Sequence, residues 1–225
     1  MKTPFFAAVY AIVAKDLRAE FRSRELVSSM ALFALLSILI FSFALELNRL
    51  AREEAIGGVL WVTVAFASII GLNRSLALER DQGNLDAMLL APIARSAVFF
   101  GKLVGNFAFT LVVGLVLLPL LTVLFNVALI QPWVLAVLVL GVLGFSTVGT
   151  LLATMTVQTR ARESLLPIVM LPVALPVLLG AVRATTAILS GAPTEDWIAW
   201  PQILVVVNLS YLVLCFLLFD YVIED

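Results

Sequence analysis

Histidine is absent from this 225-residue chain, and cysteine occurs once, at Cys215. Without histidine the chain lacks the commonest metal ligand, general base and axial haem ligand. A lone cysteine excludes an intrachain disulfide, a CxxC redox pair and a CxxCH haem-attachment site. Cys215 itself lies inside an apolar block and reads as a small buried hydrophobe. Charge is also scarce, with 14 Lys and Arg against 15 Asp and Glu, a net charge of −1. No basic patch with interleaved aromatics, the footprint of a nucleic-acid binder, is present. Neither is a GxxxxGK[ST] phosphate loop, an internal repeat or a low-complexity segment.

What is abundant is apolar: 63% of the residues, against roughly 45–50% in soluble chains. The charges fall between apolar blocks long enough, at about 20 residues, to cross a hydrocarbon core as helices. Six such blocks are expected, at about Leu26–Leu45, Val59–Leu78, Val98–Ile130, Trp133–Val157, Leu165–Val182 and Trp200–Phe219. They use almost the whole chain and leave no room for a nucleotide-binding domain. The expected fold is therefore an all-α integral-membrane bundle of six transmembrane helices forming one domain over residues 1–225.

Ahead of the first span, Lys2 followed by the apolar run Phe5–Ala14 imitates a signal peptide, but the helical pattern continues past it. Phe6, Val9, Tyr10, Val13, Leu17 and Phe21 keep one stripe, while Lys15, Asp16, Arg18, Glu20 and Arg22 take the other side. This is the pattern of an amphipathic helix lying in the membrane interface. The third span is overlong and contains Pro119, implying tilt, a kink or an extension beyond the bilayer. Gly101 and Gly105 form a GxxxG pair, and Gly141, Gly144 and Gly149 stud the fourth span; they fit packing within the subunit and dimerisation equally well.

Orientation follows from Lys and Arg counts. With the N-terminus inside, Arg49, Arg52 and Arg183 flank the outer ends of spans, and the other 11 of the 14 cations lie inside. The positive-inside rule then puts both termini in the cytoplasm. Trp61, Trp133, Trp197 and Trp200 all fall near outer span ends. They read either as an interfacial aromatic belt or as a stacking surface for a flat ligand or partner.

The longest polar interruption between apolar runs is Leu78–Lys102, LERDQGNLDAMLLAPIARSAVFFGK. Asn84 can cap a short helix there, Asp86 suits its positive end and Pro92 stops it. Leu85, Met88 and Leu89 share one face at i, i+3, i+4 spacing, an apolar face beside charges that calls for a docking partner. No acid, base or histidine falls at the centre of any span, so the relay or ion site of a proton- or sodium-coupled transporter is missing. No nucleophile with a positioned base is apparent either, so a membrane enzyme is disfavoured. Span five, LLPIVMLPVALPVLLG, carries Pro167, Pro172 and Pro176. The last two remove backbone donors and free the carbonyls of Ile168 and Pro172. Such a span bends, as a static kink or a moving hinge, and its freed carbonyls place it in the protein interior.

Two segments carry a resemblance. ALERDQGNLDAMLLAPIARSAVFFGK resembles the cytoplasmic coupling-helix region of exporter-type ABC permeases, and LLPIVMLPVALPVLLG resembles the multi-proline fifth helix of the CcmB family. That family forms the ABC-2-like permease component of the haem exporter of cytochrome c maturation. The resemblance implies that Asp81, Gly83, Leu85, Met88, Leu89, Leu90 and Pro92 lie on the loop touching a cytoplasmic ATPase. Asp86 stands where the family usually has Glu. It further implies haem delivery to a periplasmic chaperone from the bacterial inner membrane. Implied partners are an ATPase subunit (CcmA-like), a haem-handling membrane subunit (CcmC-like), a small accessory membrane protein (CcmD-like) and a second copy of the chain. ATP would sit on the ATPase, and haem would be cargo held by a partner, with no cofactor or metal on this chain. Arg49, Arg52 and Arg183 could meet haem propionates, or else snorkel or pair with Glu53, Glu54, Glu195 or Asp196. A permease for lipid, polysaccharide or drug, and a non-transporting scaffold, are the competing readings.

Overall fold

The computed structural model describes residues 4–45, 49–81, 93–156 and 162–222. Its elements are α1 (Phe5–Ser23), α2 (Glu25–Ala44), α3 (Arg49–Asp81), α4 (Arg95–Phe125), α5 (Pro132–Thr156), α6 (Arg162–Leu189), the single turn α7 (Thr194–Trp197) and α8 (Ala199–Val222). No strand occurs among the described residues. Six of these helices are long and apolar enough to cross a membrane, so the expected six-span helical bundle is the fold.

The third span ends earlier than expected. α4 stops at Phe125, where Asn126 takes a left-handed conformation with φ 54°, and Thr122 Oγ1 accepts the Leu129 N–H at 3.3 Å. Residues 126–131 therefore form a non-helical connection. With 31 residues, α4 still extends about 46 Å at 1.5 Å per residue, longer than a hydrocarbon core of about 30 Å. Pro119 is accommodated inside this continuous helix.

The interior is built on α3 and α5. In each, 72% of the apolar stretch is buried, against 33% for α6 and 22% for α2 and α8. The proline-rich span thus packs one face on α3, α5 and α8 and shows the other outside the chain, where an interior placement was expected. Leu166, Met170, Ala174, Val177 and Ala181 form its buried stripe. Ile168, Pro172, Val173, Pro176 and Leu179 lie exposed, with Pro167 half-buried. The three prolines sit in one uninterrupted helix. The physical reason is that close packing at the centre is granted by small residues, not demanded by freed carbonyls. α5 contributes Gly141, against which the Trp61 ring of α3 packs so closely that a side-chain carbon there would overlap it.

A second, smaller core closes the end of the bundle that carries α1. Ile12, Val98, Phe99, Leu103, Leu151, Cys215 and Phe219 gather there. The Phe99 and Phe219 rings lie 5.0 Å apart, and Phe100 bridges to Phe5 and Phe216, each at 6.0 Å. Aromatic contacts of this kind add to area burial, so α1 is fastened to the bundle through α4, whose Phe99 and Phe100 in turn meet α8.

Candidate functional site

The site that the sequence singles out is the segment between α3 and α4. Of the coupling residues, Asp81 is the final residue of α3. Gly83, Leu85, Met88, Leu89, Leu90 and Pro92 lie outside the described residues. What is described is the frame that holds the two ends of that segment. On one side is α3, the buried central helix. On the other is α4, whose first turns are locked to α1.

That lock begins with Gly101, the first glycine of the GxxxG pair. Its missing side chain leaves room for Ile12, whose Cβ would stand 2.8 Å from a carbon added at Gly101. The pair therefore serves packing within the chain. One residue on, Lys102 Nζ donates to Asp16 Oδ2 at 2.8 Å, with side-chain exposures of 6% and 11%. Asp16 also meets Lys15 Nζ at 3.3 Å. The sequence pattern puts Asp16 on the headgroup side of α1; the fold turns it inward onto the one charge of the third span. Phe6, Tyr10 and Phe21 are the strongly exposed large apolar residues of α1. A buried cation is costly without an anion beside it, and Asp16 supplies one to Lys102.

The same end carries two further ties. Glu20 at the end of α1 accepts the backbone N–H groups of Leu26 at 3.2 Å and Val27 at 2.8 Å. It caps the N-terminus of α2 across the left-handed turn at Arg24, φ 55°. Arg74 near the end of α3 donates to Glu25 Oε2 at 2.6 Å. Thus α1, α2, α3 and α4 are cross-braced by charged groups.

The apolar spans also hold neutral polar groups, buried at Asn106 and Asn208 and half-buried at Tyr211. Asn106 Nδ2 donates to Thr150 Oγ1 at 3.0 Å, joining α4 to α5. Asn208 Nδ2 donates to the Leu140 carbonyl at 2.9 Å, joining α8 to α5. Tyr211 Oη donates to the Val173 carbonyl at 2.6 Å, one residue beyond Pro172. Their signal in the sequence is an amide or phenol inside an otherwise apolar span. Each acts as interhelical glue.

At the opposite end the tryptophans separate. Trp61 is fully buried and donates to Thr185 Oγ1 at 2.9 Å. It belongs to neither a belt nor a stacking surface, because the Gly141 slot and the threonine acceptor draw it into the core. Trp197, also buried, packs edge-on against the half-exposed Trp133 with ring centroids 5.2 Å apart, and donates to the Ala192 carbonyl at 3.2 Å. Trp200 is half-buried and Arg183 exposed. Arg49 and Arg52 lie in the first turn of α3, their side chains outside the described residues. Among the described residues, Trp133 and Trp197 meet, while Trp61 belongs to the core.

No group of three His, Cys, Asp or Glu side chains suited to a metal ion occurs among the described residues. Cys215 is buried in the smaller core.

Comparison with known proteins places this geometry. The family model described as "CcmB protein" matches residues 7–222. "Heme exporter protein B" of Rhodobacter capsulatus is 28% identical over 170 residues, covering 75% of this chain and 78% of that protein. The protein of the same name from Pseudomonas aeruginosa is 25% identical over 191 residues, 84% of this chain and 85% of its own. That from Paracoccus denitrificans is 31% identical over 140 residues, 60% and 62% respectively.

Proposed function

Because the chain belongs to the CcmB family, we propose that it is the membrane permease subunit of a haem-export system serving cytochrome c maturation, driven by a separate ATPase. The observation that carries this reading is the family match across residues 7–222, joined to relatives named "Heme exporter protein B" over most of their length. The chain is a transporter component. It contributes no catalysis of its own, and the nucleotide is bound and hydrolysed on a cytoplasmic partner. Its place is the bacterial inner membrane with both termini cytoplasmic, as the distribution of lysine and arginine favours.

Closure of the ATPase would push on the segment at Asp81–Pro92. Support comes from what that segment joins. It links α3, packed into the core, to α4, bolted to α1 by Lys102 and Asp16. A push there reaches the centre of the bundle and the interfacial helix together. Such a displacement is a rigid-body rocking of packed helices. Pro167, Pro172 and Pro176 would give α6 the compliance to follow. Haem is cargo held by a partner. The chain has no histidine and its one thiol is in an apolar core, so iron ligation falls to a haem-handling membrane subunit, with a small accessory protein and a second copy completing the complex.

The test is Leu89→Arg. It is expected to leave membrane insertion intact while abolishing ATPase co-purification and haem delivery. Normal co-purification and delivery would reject the docking assignment. Orientation is checked in a Cys215→Ala background, where Met88→Cys should react with a membrane-impermeant maleimide only from the cytoplasmic side.

A further inference from the structure

Between the end of α1, the first turns of α2 and the middle of α4 lies a crevice of about 380 Å³. Leu17, Phe21, Val27, Ala108, Phe109 and Val112 form its apolar walls, and Glu20, Arg24 and Ser28 its polar rim. The volume falls in the range of about 300–1,000 Å³ that holds small organic ligands. It exists because of local backbone geometry. Arg24 adopts a left-handed conformation between two helices, so α1 turns sharply away from α2, and small Ala108 fills little of the gap.

The rim decides the occupant. Both oxygens of the Glu20 carboxylate are engaged by backbone N–H groups of α2, so its charge is partly offset by the helix terminus. Ser28 Oγ donates to the Glu25 carbonyl at 3.3 Å. Arg24 is exposed and makes no ion pair among the described residues. A cation therefore stands over an apolar slot. Water has too few polar partners inside to be held. The walls include Phe21 and Val112, 79% and 49% exposed, so the slot opens on the same apolar surface that the long helices offer to the bilayer. Arg18 and Arg22, exposed elsewhere on α1, add to the positive charge of this helix, which suits an anionic headgroup layer.

We propose that this crevice is a structural phospholipid site: one acyl chain fills the slot between α1, α2 and α4, and the phosphodiester pairs with Arg24. The lipid would complete the packing between the interfacial helix and the bundle. The proposal is independent of the cargo and of the ATPase.

The full chain is reconstituted in phosphatidylcholine nanodiscs doped with a phosphatidylglycerol that carries a photoreactive diazirine on one acyl chain. Labelling of the segments containing Val27 and Phe109 is expected at least about 3-fold above that of the lipid-exposed stretch Val205–Val213 of α8. Ala108→Trp, which fills the slot, should lower it about 3-fold or more without changing the α8 signal. Arg24→Glu, a rim change that disturbs no packing, should lower it similarly, and Arg24→Lys should restore it. A diazirine fatty acid without a phosphate should label the slot several-fold less than the phospholipid. Labelling at the α8 level overturns the site. So does labelling unchanged by Arg24→Glu, or equal labelling by the fatty acid. A polypeptide in place of a phospholipid adduct in the native mass spectrum overturns the choice of occupant.

Discussion

Trp61 and Thr185 lie 124 positions apart in the chain and meet inside the bundle, the indole N–H donating to the threonine hydroxyl at 2.9 Å. This contact joins α3 to α6, the central helix to the proline-rich one. Thr185→Val keeps the side-chain shape and leaves the buried indole N–H without an acceptor. The expected loss is about 1–3 kcal/mol, read as a lowered thermal midpoint in detergent. Thr185→Ser should retain most of the stability.

Gly141 is the other half of the same arrangement. Gly141→Val pushes a branched side chain into the Trp61 ring, against which even a single added carbon overlaps. Overpacking of this kind costs about 1–3 kcal/mol or more. The variant should show a shifted tryptophan emission spectrum together with reduced stability. A native spectrum and midpoint would mean that Trp61 does not occupy the slot.

Asp16 and Lys102 form the buried lock between α1 and α4. Asp16→Asn removes a counter-charge from Lys102, which is itself only 6% exposed. The loss expected on breaking such a pair is about 3–5 kcal/mol, part of it relieved by water entering at the interface. Trypsin should then cut at Arg18 and Arg22 faster than in the parent. The exchange Asp16→Lys with Lys102→Asp should recover a good part of both readouts, whereas either single change should not.

Tyr211 donates to a carbonyl beside Pro172. Tyr211→Phe removes one neutral hydrogen bond, an expected cost of about 0.5–1.5 kcal/mol. Pro176→Ala restores a backbone donor to α6. If the tyrosine compensates for the proline-disturbed turn, the two changes couple and the double variant loses less than the sum of the singles. Strict additivity in a double-mutant cycle would separate the two.

Much of the architecture was legible from residue pattern because a bilayer is an unforgiving solvent. A helix must satisfy its own backbone and present apolar side chains for some 20 residues, so span number and type follow from composition alone. The N-terminal helix was legible from the same continuing pattern, but its facing was not, since Asp16 turns inward onto Lys102 while Phe6, Tyr10 and Phe21 stay exposed. The centre of the bundle was not legible. Three prolines suggested that α6 lies inside, yet it shows one face outward, since which helix is central depends on how closely backbones approach. Trp61 shows the same limit. At the end of a span it matches the pattern of a belt residue, and only the slot at Gly141, in another helix, makes it a core residue.

Local order along the chain therefore specified the solvent, the spans, the N-terminal amphipathic helix and the polar segment between α3 and α4. Each depends on the length and periodicity of an apolar run, quantities carried by neighbours in sequence. The fold alone paired Asp16 with Lys102, Trp61 with Thr185 and Tyr211 with Val173. The reason is that these contacts join residues 86, 124 and 38 positions apart, and helix rotation, register and closeness of approach decide whether such groups meet.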